Sequence, residues 1–449
     1  MEAKTKPIFN WECERFNSPE VYDATVPQHP IELEELIVKI NVIVEKCEKL
    51  QLPPIDPTMV GKLYEIADSL EGETSYKLKK GTLLPHWDPQ SKEKITIART
   101  CTLAAAQGKK VIFINFDEMH IDEGSDTKAK LAGYIRIKKN GAIKVYQAVR
   151  LSSLVTKESK MQRFVNRIKM TEACQDIPQV LPQEYWSRFR KKDKGYKLNI
   201  FSMLYDKNLF DLLTEVKLSY EGILQILLEL AKGLKKLSIN KGLIHRDLKL
   251  ENIFIDVDFN VENVCEILDL VIADLDYCVK KDNQEDLLKT RGSLPYVCPT
   301  IVLLAYHEFW KFNTLKGLLG ISTLEEIPTI LGPTQDLWGL GCILYACLYG
   351  RLPPPCKYLL EIIGIRREQP MTTMDEQLKI PKIVCRLMDY EKSLAQMEKS
   401  LEKEKDRNFF TEVLSRLLKV NPRDRISIEQ LYSILKAHAK DLKSKGNEK

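Results

Sequence analysis

Three polar residues lie at fixed offsets inside the segment from Leu243 to Ile255, whose two ends are apolar. They are Asp247, Lys249 and Asn252. A carboxylate can accept a proton, an ammonium group can meet negative charge, and an amide oxygen can bind a metal ion. The apolar ends are expected to form short buried strands that hold these groups. The segment therefore predicts a reaction centre.

The same segment resembles the catalytic loop of protein kinases. His245, Arg246, Asp247, Lys249 and Asn252 match the pattern H-R-D-x-K-x-x-N at every defining position. The resemblance implies that Asp247 is the base that orients a hydroxyl and that Lys249 contacts the transferred phosphoryl group. It also implies that Asn252 binds Mg²⁺, with His245 and Arg246 in structural or regulatory roles.

A second metal ligand is implied by the segment Ala273-Asp274-Leu275-Asp276, which is similar to the D-F-G element. Asp274 would hold Mg²⁺ against the phosphates of ATP. Asp269 is the alternative, but the remaining distance to Pro299 favours Asp274. Asp276 replaces the glycine of the element and adds a carboxylate, so an altered metal arrangement is expected.

The stretch Gly292 to Thr300 is similar to the end of a serine/threonine kinase activation segment. Ser293 is expected to bond near Asp247 and Lys249, and the position of this lysine indicates serine or threonine as the acceptor. Thr290 lies just before this stretch and is implied to face Arg246, as in kinases that are switched by phosphorylation.

Two further positions concern how the large lobe is held together. Asp336 lies in the segment Gly332 to Tyr345, which resembles the start of the family's helix F, and its carboxylate is expected to accept backbone amides of the catalytic loop. Thr300 stands where the family has a glutamate. The arginine that normally pairs with that glutamate corresponds to Arg425, which therefore needs another partner.

The small lobe departs more from the family pattern. If Gly133 is the third glycine of the glycine-rich loop, the other two positions fall on Lys128 and Lys130. The phosphate-anchoring residue is either Arg150, 17 residues after Gly133 in the string Ala148-Val149-Arg150, or Lys144. We favour Arg150, which keeps the positive charge of the family's lysine but is planar and longer. Ala148 is then implied to line the nucleotide site.

A helix predicted from Lys157 to Cys174 resembles helix C, whose glutamate would be Glu172 or Glu158. Further along, the strand that ends near Met203 resembles the family's fifth strand and hinge. The resemblance implies that Met203 and Tyr205 lie near the adenine of ATP. A helix from about Tyr220 to Ile239 leads into the catalytic loop.

The remaining patterns predict the organisation of the chain. Strands are expected at 111–116, 133–139 and 142–151, the last two flanking the hairpin turn Asn140-Gly141. Helices are expected at 31–50, 59–70 and 92–107. The helices at 31–50 and 59–70 either dock on the neighbouring lobe or bind a partner.

Composition limits the class of protein. The 449 residues are 44% hydrophobic and 29% charged, with a formal charge of +5, which does not demand nucleic acid or an anionic membrane. Eleven scattered cysteines indicate a reducing compartment. No apolar run reaches membrane-spanning length, so an intracellular location is expected, although non-classical export leaves no such pattern.

Together the resemblance implies an α+β, bilobal protein-kinase-like fold with a small β-rich N-lobe and a large helical C-lobe. The expected divisions are a helical extension at 1–109, a kinase-like domain at 110–440 and a basic tail at 441–449. Within the domain the N-lobe is 110–203 and the C-lobe is 207–440, with insertions near 303–331 and 383–407. The implied function is an atypical serine/threonine kinase that uses ATP and Mg²⁺ on a protein substrate. The alternative is a pseudokinase that binds nucleotide or partner proteins.

Overall fold

The computed structural model describes residues 62–63, 65–67, 69–70, 74–85, 90, 92–97, 100–106, 109–123, 127–137, 143–181, 183–191, 195–259, 265–289, 291–305, 327, 331–367, 373–403 and 408–446. These residues divide into two compact units. The first unit contains the described residues up to 162 and those between 182 and 204. The second contains the residues between 163 and 181 and those from 205 onward.

The first unit is built on a seven-stranded antiparallel sheet with the strand order β1-β4-β5-β6-β7-β9-β8. The seven strands are β1 Thr74–Leu78, β4 Cys101–Ala106, β5 Lys109–Glu123, β6 Thr127–Ile137, β7 Ile143–Val155, β8 Gln183–Lys191 and β9 Gly195–Met203. A separate hairpin consists of β2 Leu83–Pro85 and β3 Lys94–Thr96.

The sheet is stabilised by a small apolar cluster contributed by several of its strands. Its buried members are Ala104, Val111, Phe113, Ala132, Ala148 and Phe201, and Met203 packs against them. The rings of Phe113 and Phe201 stack with their centroids 4.2 Å apart. Aromatic and β-branched residues suit a pleated, buried surface, which explains why this stretch of the chain forms strands.

Two predictions for this unit are wrong. The helix predicted at 92–107 is absent, because residues 94–96 and 101–106 form strands β3 and β4. Alanine favours helix, but the Ala104 to Ala106 run is paired with β5 on one side and β1 on the other, and this pairing overrides the weak local preference. The loop expected at 128–133 is also absent, because these residues lie inside β6, with Gly133 opposite Gln147.

The predicted hairpin of the small lobe is present as β6 and β7, which pair from Ile137↔Ile143 to Thr127↔Ser153. The strand predicted at 111–116 is longer than expected, because β5 continues to Glu123. The turn Asn140-Gly141 and the helix predicted at 31–50 lie outside the described residues. In the stretch predicted as a helix at 59–70, residues 62–63 and 65–67 are helical.

The second unit is mainly helical. The described helices of the chain are α1 Glu158–Ala173, α2 Leu209–Glu215, α3 Tyr220–Lys235, α4 Gln284–Leu288, α5 Pro299–Ala305, α6 Thr334–Tyr349, α7 Cys356–Arg367, α8 Thr373–Lys403, α9 Phe409–Leu417 and α10 Ile428–Gly446. The short strands are β10 Lys207–Asn208, β11 Leu243–Ile244, β12 Ile253–Phe259, β13 Cys265–Ile272 and β14 Val279–Lys280. A π-helical turn, Lys236–Asn240, extends α3.

Helix α6 is central to this unit. Its residues from Asp336 to Cys347 are all buried, as expected for a helix that is apolar on every side. Gly339 allows close packing, because a Cβ atom there would lie 2.9 Å from the carbonyl oxygen of Leu248. The absence of a side chain at Gly339 therefore lets α6 lie directly against the catalytic loop.

Several predicted helices of this unit are confirmed. The predicted helix C corresponds to α1, and the helix predicted from Tyr220 to Ile239 corresponds to α3 with its π-helical turn. Residues 441–446 of the expected basic tail form the end of α10. Helix α8 begins at Thr373, ten residues before the insertion expected near 383–407. Of the insertion expected at 303–331, only residues 303–305, 327 and 331 are described. No described helix has both the length and the apolar composition needed to cross a bilayer.

Candidate active site

The two apolar ends of the segment from Leu243 to Ile255 form short strands, as predicted. Strand β11 lies before the polar residues and pairs with β14, and strand β12 follows them and pairs with β13. A 3-10 turn, Leu250–Asn252, connects the polar stretch to β12. The strands thus fix both ends of the catalytic loop.

The carboxylate of Asp336 holds the start of the loop. Its Oδ2 accepts the backbone N–H of His245 at 2.8 Å, and its Oδ1 accepts that of Arg246 at 2.8 Å, which is the arrangement predicted from the sequence. Arg246 has a φ of +66°, an unusual value for a residue other than glycine. Burial raises the pKa of Asp336, while these hydrogen bonds act in the opposite direction. Hydrogen bonds to a charged group contribute about 1.5–3 kcal/mol each, enough to stabilise this backbone turn.

His245 connects the loop to the residue before Asp274. The imidazole is fully buried, and its Nε2 lies 2.9 Å from the carbonyl oxygen of Ala273. Its Nδ1 accepts the backbone N–H of Asp247 at 3.2 Å. Since Nδ1 accepts, Nε2 carries the proton and donates it to the carbonyl. His245 is therefore a structural residue.

Asp247 is 4% exposed, and hydrogen bonds fix both of its carboxylate oxygens. Oδ1 accepts the backbone N–H of Ser293 at 2.7 Å, and Oδ2 lies 3.3 Å from the amide nitrogen of Asn252. The Nζ of Lys249 is 3.7 Å from Oδ2 and donates to Ser293 Oγ at 2.9 Å. Ser293 thus lies beside Asp247 and Lys249 as predicted. These contacts fix the orientation of the carboxylate, which is the group that could accept a proton.

Asn252 is oriented by the same contacts. Its amide nitrogen also donates to the carbonyl oxygen of Asp247 at 2.9 Å, so the amide oxygen points elsewhere and has no hydrogen-bond partner among the described residues. The backbone N–H of Ala273 donates to the carbonyl oxygen of Asn252 at 2.8 Å, which fixes Asp274 as the next residue. An amide oxygen and a carboxylate are ligands that Mg²⁺ prefers. The side chains therefore fit such an ion.

Arg167 of helix α1 is not among the site residues predicted from the sequence. Its Nη2 lies 2.5 Å from Oδ1 of Asp274, and its Nε forms an ion pair with Asp276. The preceding residue, Asn166, donates from its amide to the carbonyl oxygens of Asp276 and Cys278 at 3.3 and 3.1 Å. The prediction for this helix concerned only a glutamate, Glu172 or Glu158.

The charges in this cluster influence one another. Burial tends to raise the pKa of Asp274, but the guanidinium of Arg167 outweighs it and leaves the pKa lowered. The pKa of Asp276 is raised to about 6 by burial and by the nearby charge of Asp274, although Arg167 opposes both. Burial tends to lower the pKa of Arg167, and the two carboxylates reverse that effect. Near neutral pH the three groups are therefore ionised.

The alternative metal ligand, Asp269, lies on β13 and is exposed. Its Oδ2 accepts a hydrogen bond from the hydroxyl of Tyr205 at 3.2 Å. Asp274, in contrast, directly follows the residue that is hydrogen-bonded to Asn252. This geometry favours Asp274.

Arg246 contacts the activation segment through α4. Its Nη1 donates to the carbonyl oxygen of Asp286, and burial lowers the pKa of its guanidinium. Thr290, which was expected to face Arg246, lies outside the described residues. Further along, Gly292 has a φ of +94°, and a Cβ atom there would lie 2.4 Å from the carbonyl oxygen of Arg246. Glycine at this position lets the segment contact the catalytic loop.

Arg425 is hydrogen-bonded to other groups in place of the glutamate that Thr300 replaces. Its guanidinium donates to the carbonyl oxygens of Lys419, Thr334 and Val420 at 2.7, 2.8 and 3.1 Å, and it lies 3.2 Å from the sulfur of Cys298. Its Cζ is also 5.3 Å from the ring centre of Trp338. Thr300, 2% exposed, has a hydroxyl with no hydrogen-bond partner among the described residues. Backbone carbonyls have thus replaced the ion pair.

In the first unit, Arg150 lies on β7 and is 7% exposed. It stands opposite Phe201 of β9 and Lys130 of β6, whereas Lys144 stands opposite Arg136 beyond the end of the β7–β9 pairing. Ala148 is opposite Met203 at the end of β9. Arg150, Ala148 and Met203 therefore share one short region of the sheet.

The remaining predicted site residues lie in β6, in α1 and after β9. Gly133 lies within β6, so its proposed place in a phosphate loop is wrong, and any contact with nucleotide is a prediction. Glu172 is half-buried on α1, and the side chain of Glu158 lies outside the described residues. The glutamate that would pair with Arg150 is still a prediction. Tyr205 lies on the connection that follows β9.

Comparison with known families gives a match to the protein kinase domain over residues 118–434, which is more than half of the chain. Among curated proteins, the chain is 28% identical over 193 residues to the probable serine/threonine-protein kinase fhkA of Dictyostelium discoideum, covering 42% of this chain and 28% of that protein. It is 33% identical over 125 residues to the serine/threonine-protein kinase grp of Drosophila melanogaster, covering 28% and 18%.

A longer match, over 240 residues, is to the phosphorylase b kinase gamma catalytic chain, liver/testis isoform, of Bos taurus. The identity is 25% over 240 residues, which is 53% of this chain and 46% of that protein. The matches thus cover less than half of each of these three relatives. The extent of the domain match, together with the bonded catalytic loop, shows that the chain belongs to the protein kinase family.

Proposed function

We propose that the chain is an active, atypical serine/threonine protein kinase that transfers the γ-phosphate of ATP to hydroxyl groups of proteins. One observation carries the proposal: the carboxylate of Asp247 is fixed by Ser293 and Asn252, with Lys249 within reach of the same serine. These are the groups that the reaction needs in one place.

In the proposed reaction, Asp247 accepts the proton of the substrate hydroxyl as the hydroxyl attacks the phosphorus. The bond from the γ-phosphorus to the bridging oxygen breaks, and ADP leaves. Lys249 stabilises the negative charge on the transferred group. Asn252 and Asp274 would hold Mg²⁺, which neutralises phosphate charge when bound.

The preference for serine or threonine is proposed from the same contacts. Lys249 donates to Ser293 at 2.9 Å, so the end of the activation segment lies directly beside the base. A lysine two residues after the base, hydrogen-bonded to Ser293, supports serine or threonine as the acceptor. All three relatives considered above carry kinase in their names, and two are named as serine/threonine kinases.

The nucleotide contacts are proposed for residues of the small lobe and of the segment after β9. Arg150 would contact the phosphates, and Ala148, Met203 and Tyr205 would lie near the adenine. The position of Arg150 on β7, where the strand also pairs with β9, supports this assignment over Lys144. Gly133 would contribute only as part of β6.

A second candidate, a pseudokinase that serves as a scaffold, is favoured by one observation. Asp274 is engaged by the guanidinium of Arg167, and Asp276 stands in place of the glycine that usually follows. A chain that never binds a metal ion would be stable in this form. The complete set of polar contacts at Asp247 favours the enzyme.

The test is transfer of radiolabelled phosphate from ATP and Mg²⁺ to a generic basic protein by the whole chain. Asp247→Asn is expected to lower transfer by about 10²–10⁴-fold because the base is lost. Asp258→Asn, at an exposed position on β12, is the matched control and is expected to leave transfer unchanged. Equal transfer by parent and Asp247→Asn would show that the proposed base is wrong.

The pseudokinase candidate predicts a different result, which is measured by thermal unfolding with ATP. A ligand that binds only the folded state raises the thermal midpoint by mass action. If the parent shows no phosphate transfer while ATP raises its midpoint, the scaffold is the better description. Transfer that depends on Asp247 excludes it.

A further inference from the structure

The guanidinium of Arg167 bridges two carboxylates at the proposed metal site. Nη2 is 2.5 Å from Asp274, and Nε is bonded to Asp276. The three side chains are only 24–30% exposed, so solvent screens them incompletely. Asp274 is therefore paired with a positive charge supplied by the chain itself.

The ion pairs of Arg167 are among several contacts between helix α1 and the segment 274–278. Arg163, Asn166 and Arg167 lie at helical spacing on one side of α1. Arg163 lies 5.5 Å from the ring centre of Tyr277, and Asn166 donates to the carbonyl oxygens of Asp276 and Cys278. Since three side chains hold the same segment, the ion pair is part of the packing of the unit.

A divalent cation at this place would face an unfavourable arrangement. It requires carboxylate oxygens with available lone pairs and negative charge around them. Arg167 occupies one oxygen of Asp274 and adds a positive charge within a few ångströms, and like charges at that separation repel strongly when they are partly buried. Metal and guanidinium therefore compete for the negative charge of Asp274.

Asp276 gives the guanidinium a second partner. If the Nη2 contact with Asp274 is broken, the Nε contact with Asp276 can remain, because the two carboxylates are bound by different nitrogens of the same side chain. The carboxylate at position 276, where a glycine is expected, therefore has a physical use.

We propose that Arg167 is an internal counter-cation that competes with divalent metal for Asp274, so that metal binding requires its guanidinium to withdraw toward Asp276. This inference rests on the proposed function, because it concerns the same metal site. It makes Arg167 a positioning residue that sets metal affinity. The metal-free chain is stable because the carboxylates are already paired.

The test measures binding of Mn²⁺ alone to the whole chain, by the loss of the electron paramagnetic resonance signal of free Mn²⁺. Arg167→Met removes the competing charge and is expected to tighten binding by about tenfold or more, which corresponds to about 1.4 kcal/mol. Lys169→Met, at an exposed position on another side of α1, removes the same charge without touching the segment 274–278; it is the matched control and is expected to bind like the parent. Equal or weaker binding by Arg167→Met overturns the inference.

A second variant guards against poor folding of Arg167→Met. Arg167→Gln keeps an amide that can donate to a carboxylate but carries no charge, and it is expected to tighten Mn²⁺ binding in the same direction. In metal-free buffer both variants are expected to melt below the parent, and Mn²⁺ is expected to raise their midpoints more than that of the parent. A larger rise in the parent contradicts the competition.

The experiment separates this inference from the proposed function. Asp274→Asn in the Arg167→Gln background is expected to weaken Mn²⁺ binding strongly, which assigns the binding to this site. If no variant binds Mn²⁺, the metal site of the proposed function is wrong and the inference falls with it. If parent and Arg167→Gln bind equally and both depend on Asp274, the metal site stands and only the competition is wrong.

Discussion

Gly292 shows how one missing side chain shapes the reaction centre. With a φ of +94° and no Cβ atom, it approaches the carbonyl oxygen of Arg246 more closely than any other residue type could. The next residue, Ser293, then donates its backbone N–H to Asp247. The orientation of the proposed base thus depends on a residue that takes no part in the chemistry.

Gly292→Ala is expected to lower phosphate transfer at least tenfold and to destabilise the chain by about 1–3 kcal/mol, because the new methyl group forces the backbone away from Arg246. Gly350 is a suitable control. It also has a positive φ, +66°, but a Cβ atom there would meet nothing within 4 Å. Gly350→Ala is expected to keep full transfer. Equal loss in both variants, measured by transfer and by urea unfolding, would contradict the steric argument.

Substitution of Thr300 is expected to stabilise the chain, in contrast to substitution of Gly292. Its hydroxyl is buried without a hydrogen-bond partner among the described residues, and an unpaired buried polar group is destabilising. Thr300→Val keeps the shape and is expected to raise the free energy of unfolding by about 0.5–1 kcal/mol.

The control for Thr300 is Thr411, whose hydroxyl accepts the backbone N–H of Asn408 and donates to its carbonyl oxygen, each at 3.0 Å. Thr411→Val is expected to lower the free energy of unfolding by about 1 kcal/mol or more, because it breaks a helix cap. Urea unfolding of both variants measures the difference. A loss of stability in Thr300→Val would show that the hydroxyl is satisfied in solution.

Among the elements, the pairing of strand β7 supports Arg150 over Lys144 as the proposed phosphate contact. The strand is paired on both sides from Ala148 to Ser153 but only with β6 at Lys144. Pairing on both sides fixes the backbone more firmly and places Arg150 near the residues that end β9.

Arg150→Ala is therefore expected to reduce the rise in thermal midpoint that millimolar ATP and Mg²⁺ produce, whereas Lys144→Ala is expected to leave it unchanged. Arg150→Lys is expected to preserve or increase the rise, since it restores a compact ammonium group. A defect in Lys144→Ala together with a silent Arg150→Ala would show that the other register is right.

The elements that sequence predicted well are those specified locally. The catalytic loop and Asp336 could be placed because their polar residues stand at fixed offsets between apolar stretches. Strand β4 was mistaken for a helix because its alanines favour helix locally, and only its neighbours β1 and β5 make it a strand. The role of Arg167 could not be predicted from local sequence, because its partners lie 107 and 109 residues away along the chain.

At the scale of the whole molecule, the two units are interleaved in sequence. The chain leaves the first unit after residue 162, returns to it at residue 182, and leaves it again after residue 204. The intervening segment, residues 163–181, is hydrogen-bonded to other residues of the second unit. Ile272 donates its backbone N–H to Gln179 and accepts that of Leu181, each at 2.8 Å. A cut between the units at any single peptide bond would therefore divide at least one of them.

This interleaving has a consequence for the order of events on the ribosome. When residues 163–181 emerge, their partner strand β13 has not been synthesised, and Gln179 must wait until Ile272 appears about ninety residues later. At a synthesis rate of about 5–20 residues per second, that wait is roughly 5–20 s, which is long compared with local folding. During this interval Gln179 and Leu181 lack the backbone hydrogen bonds to Ile272 that they make in the folded chain.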